Sequence, residues 1–130
     1  MNTLDRFKDT IQILPQEIEV WYVIPALRRA FALEMKEKGL KGVEIAKFLG
    51  VTEAAVSQYF SRARAVQFRF TPEIEKLITL SAHKVLKGES AMNEIQKIIL
   101  SLRETKSICK FHHTLENLNT ACTLCFHHGN

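Results

Sequence analysis

An all-α fold, a small helical bundle, is predicted by three features of this 130-residue chain. Apolar residues recur at helical spacing over nearly its whole length. Helix caps and stops fall between the periodic stretches, as glycine, as threonine before proline, and as serine. Only one stretch, Val66 to Phe70, alternates apolar and polar residues as a strand would. A hydrophobic content of 46% is enough for a packed core and excludes broad disorder.

The elements follow in order. Residues 4 to 13 form a short candidate helix that ends near Pro15. Residues 17 to 38 carry a long periodic pattern with Leu27, Ala30, Phe31 and Met35 on one side. Pro25, which lacks an N–H donor, either opens the main part of this helix or kinks it. Gly39 is a natural stop. Two short helices are predicted over about Gly42 to Leu49 and Glu53 to Ser61. Val66 to Phe70 is a short strand or an extended connector that buries Phe68 and Phe70. Thr71-Pro72, followed by Glu73 and Glu75, is a helix start with a cap, a proline at the first position and acids in the first turn. That helix runs to Lys87 and stops at Gly88. Ser90 caps a last long helix whose apolar stripe is Met92, Ile95, Ile98, Ile99 and Leu102. The stripe either closes the monomer core or pairs with its copy in a homodimer.

The two short helices and the turn between them have the pattern of a helix-turn-helix. Ala46 is small where the helices approach. Leu49 ends the first helix, and Gly50 suits the left-handed conformation of a chain leaving it. Val51 plugs the turn into the core. Thr52 can accept a bond from an otherwise unpaired N–H at the start of the second helix. Val56 and Tyr59 or Phe60 return to the core, which leaves Glu53, Ala54, Ser57 and Gln58 facing outward as a short polar surface able to meet base edges in a DNA major groove. The charge distribution agrees. The net charge is +4, but between residues 28 and 69 nine Lys/Arg face four Glu, a local balance of +5. Lys41, Arg62 and Arg64 are the candidate phosphate contacts, and with Thr52 they complete the predicted DNA-binding set.

All three cysteines lie near the end of the chain. Cys109 and His112 are spaced as C-x2-H, and Cys122 and Cys125 as C-x2-C; each pair can close a small chelate ring around one metal centre. His113, His127 and His128 are nearby substitutes. A redox dithiol would have a βαβ context, and structural disulfides would call for an oxidising compartment and an even count. The spacing favours tetrahedral zinc. The lack of a separate ligand-binding domain favours a labile iron–sulfur cluster that senses iron or redox state. Both cofactors are carried forward.

With these residues in place, the chain resembles the transcriptional regulators of archaea and bacteria that combine a Cro/repressor-type helix-turn-helix with a cysteine-containing C-terminal tail. The matching stretches are 17 to 61 and the C-x2-H…C-x2-C run from 109 to 125, about half the chain. The resemblance implies an all-helical fold, sequence-specific DNA binding, and Cys109, His112, Cys122 and Cys125 as the ligand set. Where such regulators often follow the recognition helix with a turn of glycine and a basic residue, this chain has Ser61-Arg62-Ala63-Arg64.

The expected organisation is therefore a helix-turn-helix DNA-binding region over 1–70, helices for core closure or dimerisation over 71–108, and a Cys/His metal-binding tail over 109–130. The expected partners are double-stranded DNA and a second copy of the chain. The start is polar, and no apolar run is long enough to span a bilayer, so a cytoplasmic location is expected. No general acid–base pair, phosphate loop or nucleophile constellation points to an enzyme; a thiol–disulfide enzyme using Cys122 and Cys125 is a remote rival. The nearer rival is a protein-interaction module, antitoxin-like or adaptor-like, with structural zinc.

Overall fold

The computed structural model describes residues 13–61 and 64–116, with no strand among them. The long pattern over 17 to 38 forms one helical rod in three parts. It begins as α1 (Pro15–Ile18), widens into a π turn (Glu19–Val23), and continues as α2 (Ile24–Glu37). The π turn explains how a proline is accommodated. Pro25 has no N–H to give to the preceding turn, and just before it the Ile24 N–H reaches back to the Glu19 carbonyl. Pro25 thus stands at the start of α2 directly after a widened turn. Leu27, Phe31 and Met35 are buried, with Ala30 packed half-buried beside them. Gly39 takes φ 88° and ends the rod. The helix expected over 4 to 13 lies, except for its last residue, outside the described residues.

Next come α3 (Gly42–Leu49) and α4 (Glu53–Ser61), then a single turn α5 (Arg64–Gln67), then α6 (Pro72–Leu86), α7 (Ala91–Glu104) and α8 (Ser107–Glu116). α2 is the central strut: it packs on α3, α4, α5 and α6. Thr71 Oγ1 accepts the Ile74 N–H at the start of α6, and Ser90 Oγ accepts the Asn93 N–H at the start of α7. A hydrogen bond from Thr79 to Glu34 ties α6 to α2.

Of the two forms open to Val66 to Phe70, strand or extended connector, the structure takes the connector. An isolated strand among helices would leave its backbone groups without partners. The chain instead closes α5 through Gln67 and runs on as a connector that buries Phe68 and half-buries Phe70. One expectation is corrected in α7. Ile95, Ile98, Ile99 and Leu102 are buried in the monomer, but Met92 is 77% exposed. Met92 lies in the first turn of α7, in the lining of a groove it shares with Phe48. Ala91 and Glu94 are buried instead, Glu94 to 2% exposure. A buried carboxylate needs a partner. Lys97 Nζ stands 3.0 Å from Glu94 and Lys84 Nζ 3.9 Å, both amines reaching in from exposed stems.

The first part of the tail is helical. Lys106 takes φ 62°, which turns the chain from α7 into α8. α8 then packs on α7 and α1. Ile108 and His112 are buried. The Phe111 ring meets Tyr22 and Phe68 edge-on, with centroids 5.1 and 5.2 Å apart. On the outer side of the bundle, Arg103 forks onto both carboxylate oxygens of Glu19 at 2.6 Å, joining α7 to the π turn.

If the α7 stripe closes the monomer, its loss must destabilise the monomer itself. Ile98→Ala is expected to cost about 2–5 kcal/mol in urea unfolding and to leave self-association as in wild type. Met92→Ala should stay within about 0.5 kcal/mol. An Ile98→Ala variant that unfolds in its monomeric form as wild type does, but no longer self-associates, would assign the stripe to a dimer seam.

Candidate functional site

The site is built by local chemistry at the α3–α4 turn. The Lys41 N–H donates to Glu44 Oε1 at 2.9 Å and starts α3. Ile45, Ala46 and Leu49 turn inward. At the far end Gly50 takes φ 70°. Its N–H bonds the Lys47 carbonyl at 3.3 Å, and the Val51 N–H bonds the Ala46 carbonyl at 3.0 Å, satisfying carbonyls the helix end leaves open. A Cβ at Gly50 would meet nothing within 4 Å; backbone conformation, not space, requires glycine there. Thr52 Oγ1 then accepts the Ala55 N–H at 3.1 Å and opens α4.

α4 sorts its side chains cleanly. Val56 and Tyr59 are buried and Phe60 is half-buried. Glu53, Ala54, Ser57 and Gln58 are exposed, as is Thr52. The structure therefore brings these five sequence-predicted residues onto one turn and one helix. They are not equivalent. Glu53 leans towards the start of α3, its carboxylate 3.7 Å from where a Cβ on Gly42 would stand. Ser57 and Gln58 lend their backbone carbonyls to the Ser61 hydroxyl at 3.3 Å each, and both residues are exposed.

The inner side of α4 is fastened to α2 by cations that sequence reasoning had grouped with the DNA-facing charge. Arg29 Nη1 donates to the Tyr59 carbonyl at 3.1 Å and the Phe60 carbonyl at 2.8 Å. Arg28 Nη1 donates to the Tyr59 hydroxyl at 3.2 Å, and its guanidinium stands 6.0 Å from the centre of that ring. Lys36 lies over the Phe60 ring at 5.1 Å. Three of the nine Lys/Arg between residues 28 and 69 are thus turned to protein. Lys38, Lys41, Lys47 and Arg69 are exposed. Arg64 opens α5, and Arg62 lies outside the described residues. The sequence carries no signal for the role of Arg28 and Arg29: Tyr59 and Phe60 lie about thirty positions on, and only the crossing of α2 and α4 brings them together. Adjacency alone could not supply that crossing.

A groove of about 510 Å³ was not foreseen. It lies between α2, α3 and α7 and is lined by Arg28, Lys47, Phe48, Ser90, Met92 and Gln96 among others. Phe48 and Met92, both exposed, stand in its lining. The Nε of Arg28, a residue of this lining, is buried without a hydrogen-bond partner.

Of the four predicted metal ligands, Cys109 and His112 lie on α8, and Cys122 and Cys125 lie outside the described residues. Cys109 Sγ stands 3.5 Å from His113 Nε2, one helical turn on. His112 is only 5% exposed and faces the core. Among the described residues no three His, Cys, Asp or Glu side chains gather as a metal site. No helix among them is long and apolar enough to cross a membrane.

No protein-family model, curated protein or solved structure matches the chain.

The Arg29 clamp carries a prediction. Arg29→Ala leaves two carbonyls at the end of α4 without their charged donor and should cost about 1–3 kcal/mol in chemical unfolding. Lys38→Ala, on the exposed end of the same rod, should change stability by less than about 0.5 kcal/mol. Equal, small effects would show that the clamp does not hold α4.

Proposed function

We propose that this chain is a sequence-specific DNA-binding transcription regulator, acting as a homodimer, with a C-terminal Cys/His centre that holds zinc or an iron–sulfur cluster. The observation that carries the reading is the outer face of α4. A nine-residue helix, capped by Thr52 and fastened from behind, presents Ala54, Ser57 and Gln58 with no bulky side chain among them. A helix that enters a major groove needs such a face. Exposed Lys41 at the start of α3, with Arg62 and Arg64 just past α4, would flank it with charge for phosphates. An enzymatic reading draws no support from any cluster of side chains described above.

The homodimer belongs to this reading because two-fold symmetry lets a small protein read two half-sites one DNA turn apart. Its seam would lie away from Ile95, Ile98, Ile99 and Leu102, which the monomer already buries. The Cys/His centre would either pin α8 or report on metal supply. A contiguous route towards the DNA face supports the second role. Phe111 of α8 packs on Phe68, which packs on Phe70, in the connector that leaves α5 just after the recognition helix.

The test is selection from random duplex DNA followed by titration in salt. Three phosphate contacts per protomer in a dimer imply a loss of about 10³-fold in affinity between about 50 and 200 mM salt. Gln58 can make a two-pronged contact to adenine, so Gln58→Ala should relax preference at one position per half-site, at a cost of about 1–3 kcal/mol. Affinity flat in salt, or an unchanged motif for Gln58→Ala, would contradict this placement of the reading face.

A further inference from the structure

The groove between α2, α3 and α7 joins apolar walls to a surplus of positive charge. Its volume, about 510 Å³, falls in the range of small-molecule sites, which combine apolar walls with a few placed polar groups. Phe48, Met92 and Ile95 supply apolar wall. Arg28 and Lys47 bring two cations against the single carboxylate of Glu89. α7 also starts here. Ser90 Oγ accepts the Asn93 N–H, while the N–H groups of Ala91 and Met92, both in the lining, have no partner within the helix and stand at its positive end.

Arg28 is the member of this lining whose chemistry is unsatisfied. Its Nε is buried without a hydrogen-bond partner, and a buried donor left unpaired is destabilising. Among the described residues its polar partner is the Tyr59 hydroxyl, which Nη1 reaches at 3.2 Å. Its guanidinium stands 6.0 Å from the Tyr59 ring centre, at the outer limit of cation–π attraction. Tyr59 thus offers a neutral acceptor at the long end of hydrogen-bond range. A carboxylate offers a guanidinium two parallel charge-assisted bonds, which are shorter and stronger. We propose that the groove binds a small monocarboxylic acid with an apolar body, and that its carboxylate draws the Arg28 guanidinium away from Tyr59.

The apolar body lies along Phe48, Met92 and Ile95. The guanidinium pivots so that Nε and one Nη face the two carboxylate oxygens. Lys47, exposed on α3, adds attraction, and Glu89 opposes it, so the balance of the lining suits one negative charge. The exchange acts on α4. Tyr59 is buried, and its hydroxyl loses the Arg28 donor, while Arg29 keeps the Tyr59 and Phe60 carbonyls. α4 is loosened but not released. On the reading that α4 meets DNA, on which this consequence rests, an occupied groove lowers DNA affinity.

The experiment is a titration of the isotope-labelled full chain with benzoate, phenylacetate, naphthoate and octanoate to millimolar concentration, beside the corresponding neutral alcohols. Backbone amides report the groove, the Arg28 Nε–H resonance reports the guanidinium, and ring signals report Tyr59. At least one acid should give saturable shifts at residues 47–50 and 89–96, with the Arg28 and Tyr59 signals moving at the same half-point. Its alcohol counterpart should bind more than about tenfold more weakly. Arg28→Lys keeps the charge without the fork and should weaken the acid by more than about tenfold, with folding checked by circular dichroism. Lys47→Gln should weaken the acid and Glu89→Gln tighten it, each by about 1.5- to 5-fold. Both side chains are exposed, so these two variants decide the charge argument even if Arg28→Lys fails to fold. Groove amides unmoved by every acid, or an alcohol that binds as well as its acid, overturn the site. Groove shifts with the Arg28 and Tyr59 signals unmoved overturn the exchange. An acid that fills the groove and leaves affinity for the selected duplex unchanged overturns the coupling to DNA. A chain that shows the whole groove response but binds no DNA overturns the function proposed above and leaves this site standing.

Discussion

The guanidinium of Arg29, bonded to the Tyr59 and Phe60 carbonyls, is the interaction on which the outward face of α4 depends. α4 has nine residues, too few to be stable as an isolated helix, and its exposed polar face contributes nothing to its packing. Val56, Tyr59 and half-buried Phe60 are what remain. The clamp adds charge-assisted hydrogen bonds at the end of the helix where carbonyls are unpaired and the macrodipole is negative. Arg28 on the Tyr59 hydroxyl and Lys36 over the Phe60 ring extend the same attachment along α2. Because α2 also packs on α3, α5 and α6, the direction in which α4 points is fixed by the most connected element of the bundle.

What was legible in the sequence was what neighbouring residues determine among themselves. Gly50 in a left-handed turn, Thr52, Thr71 and Ser90 as caps, and the burial of Ile95, Ile98, Ile99 and Leu102 all rest on contacts within a few positions or on a single period. What escaped depended on distant partners or on competing signals. The π turn is a compromise between Pro25 and a helix that continues on both sides of it. Arg28 and Arg29 counted as surface charge because their partners are some thirty residues away. Met92 fits the period of its helix yet stands exposed in its first turn, while Glu94 breaks the period and is buried with Lys84 and Lys97 reaching it. In α8 the Cys/His pattern masked an apolar one: Ile108, Phe111 and His112 fall three and four positions apart, as a core-facing stripe does.

This last point changes how the two halves of the candidate site relate. Cys109 and His112 were expected on an appendage beyond the folded domain. Both lie on a helix that is packed into it through Ile108, Phe111 and His112. A shift of α8 would be felt by Tyr22 in the π turn and by Phe68 beyond α5. Close-packed aromatic contacts transmit small shifts because interiors have little free volume to absorb them.

The central claim is that the outward face of α4 is the surface that meets DNA. Its most direct test is a titration of isotope-labelled full-length chain with a duplex carrying the selected site, followed residue by residue through backbone amide chemical shifts. The account predicts that the largest changes fall on residues 50–58 and at Lys41, with α6 and the outer side of α7 little changed. Largest changes around Phe48, Met92 and Gln96, in the groove between α3 and α7, with residues 52–58 unmoved, would contradict it and identify the groove as the working surface.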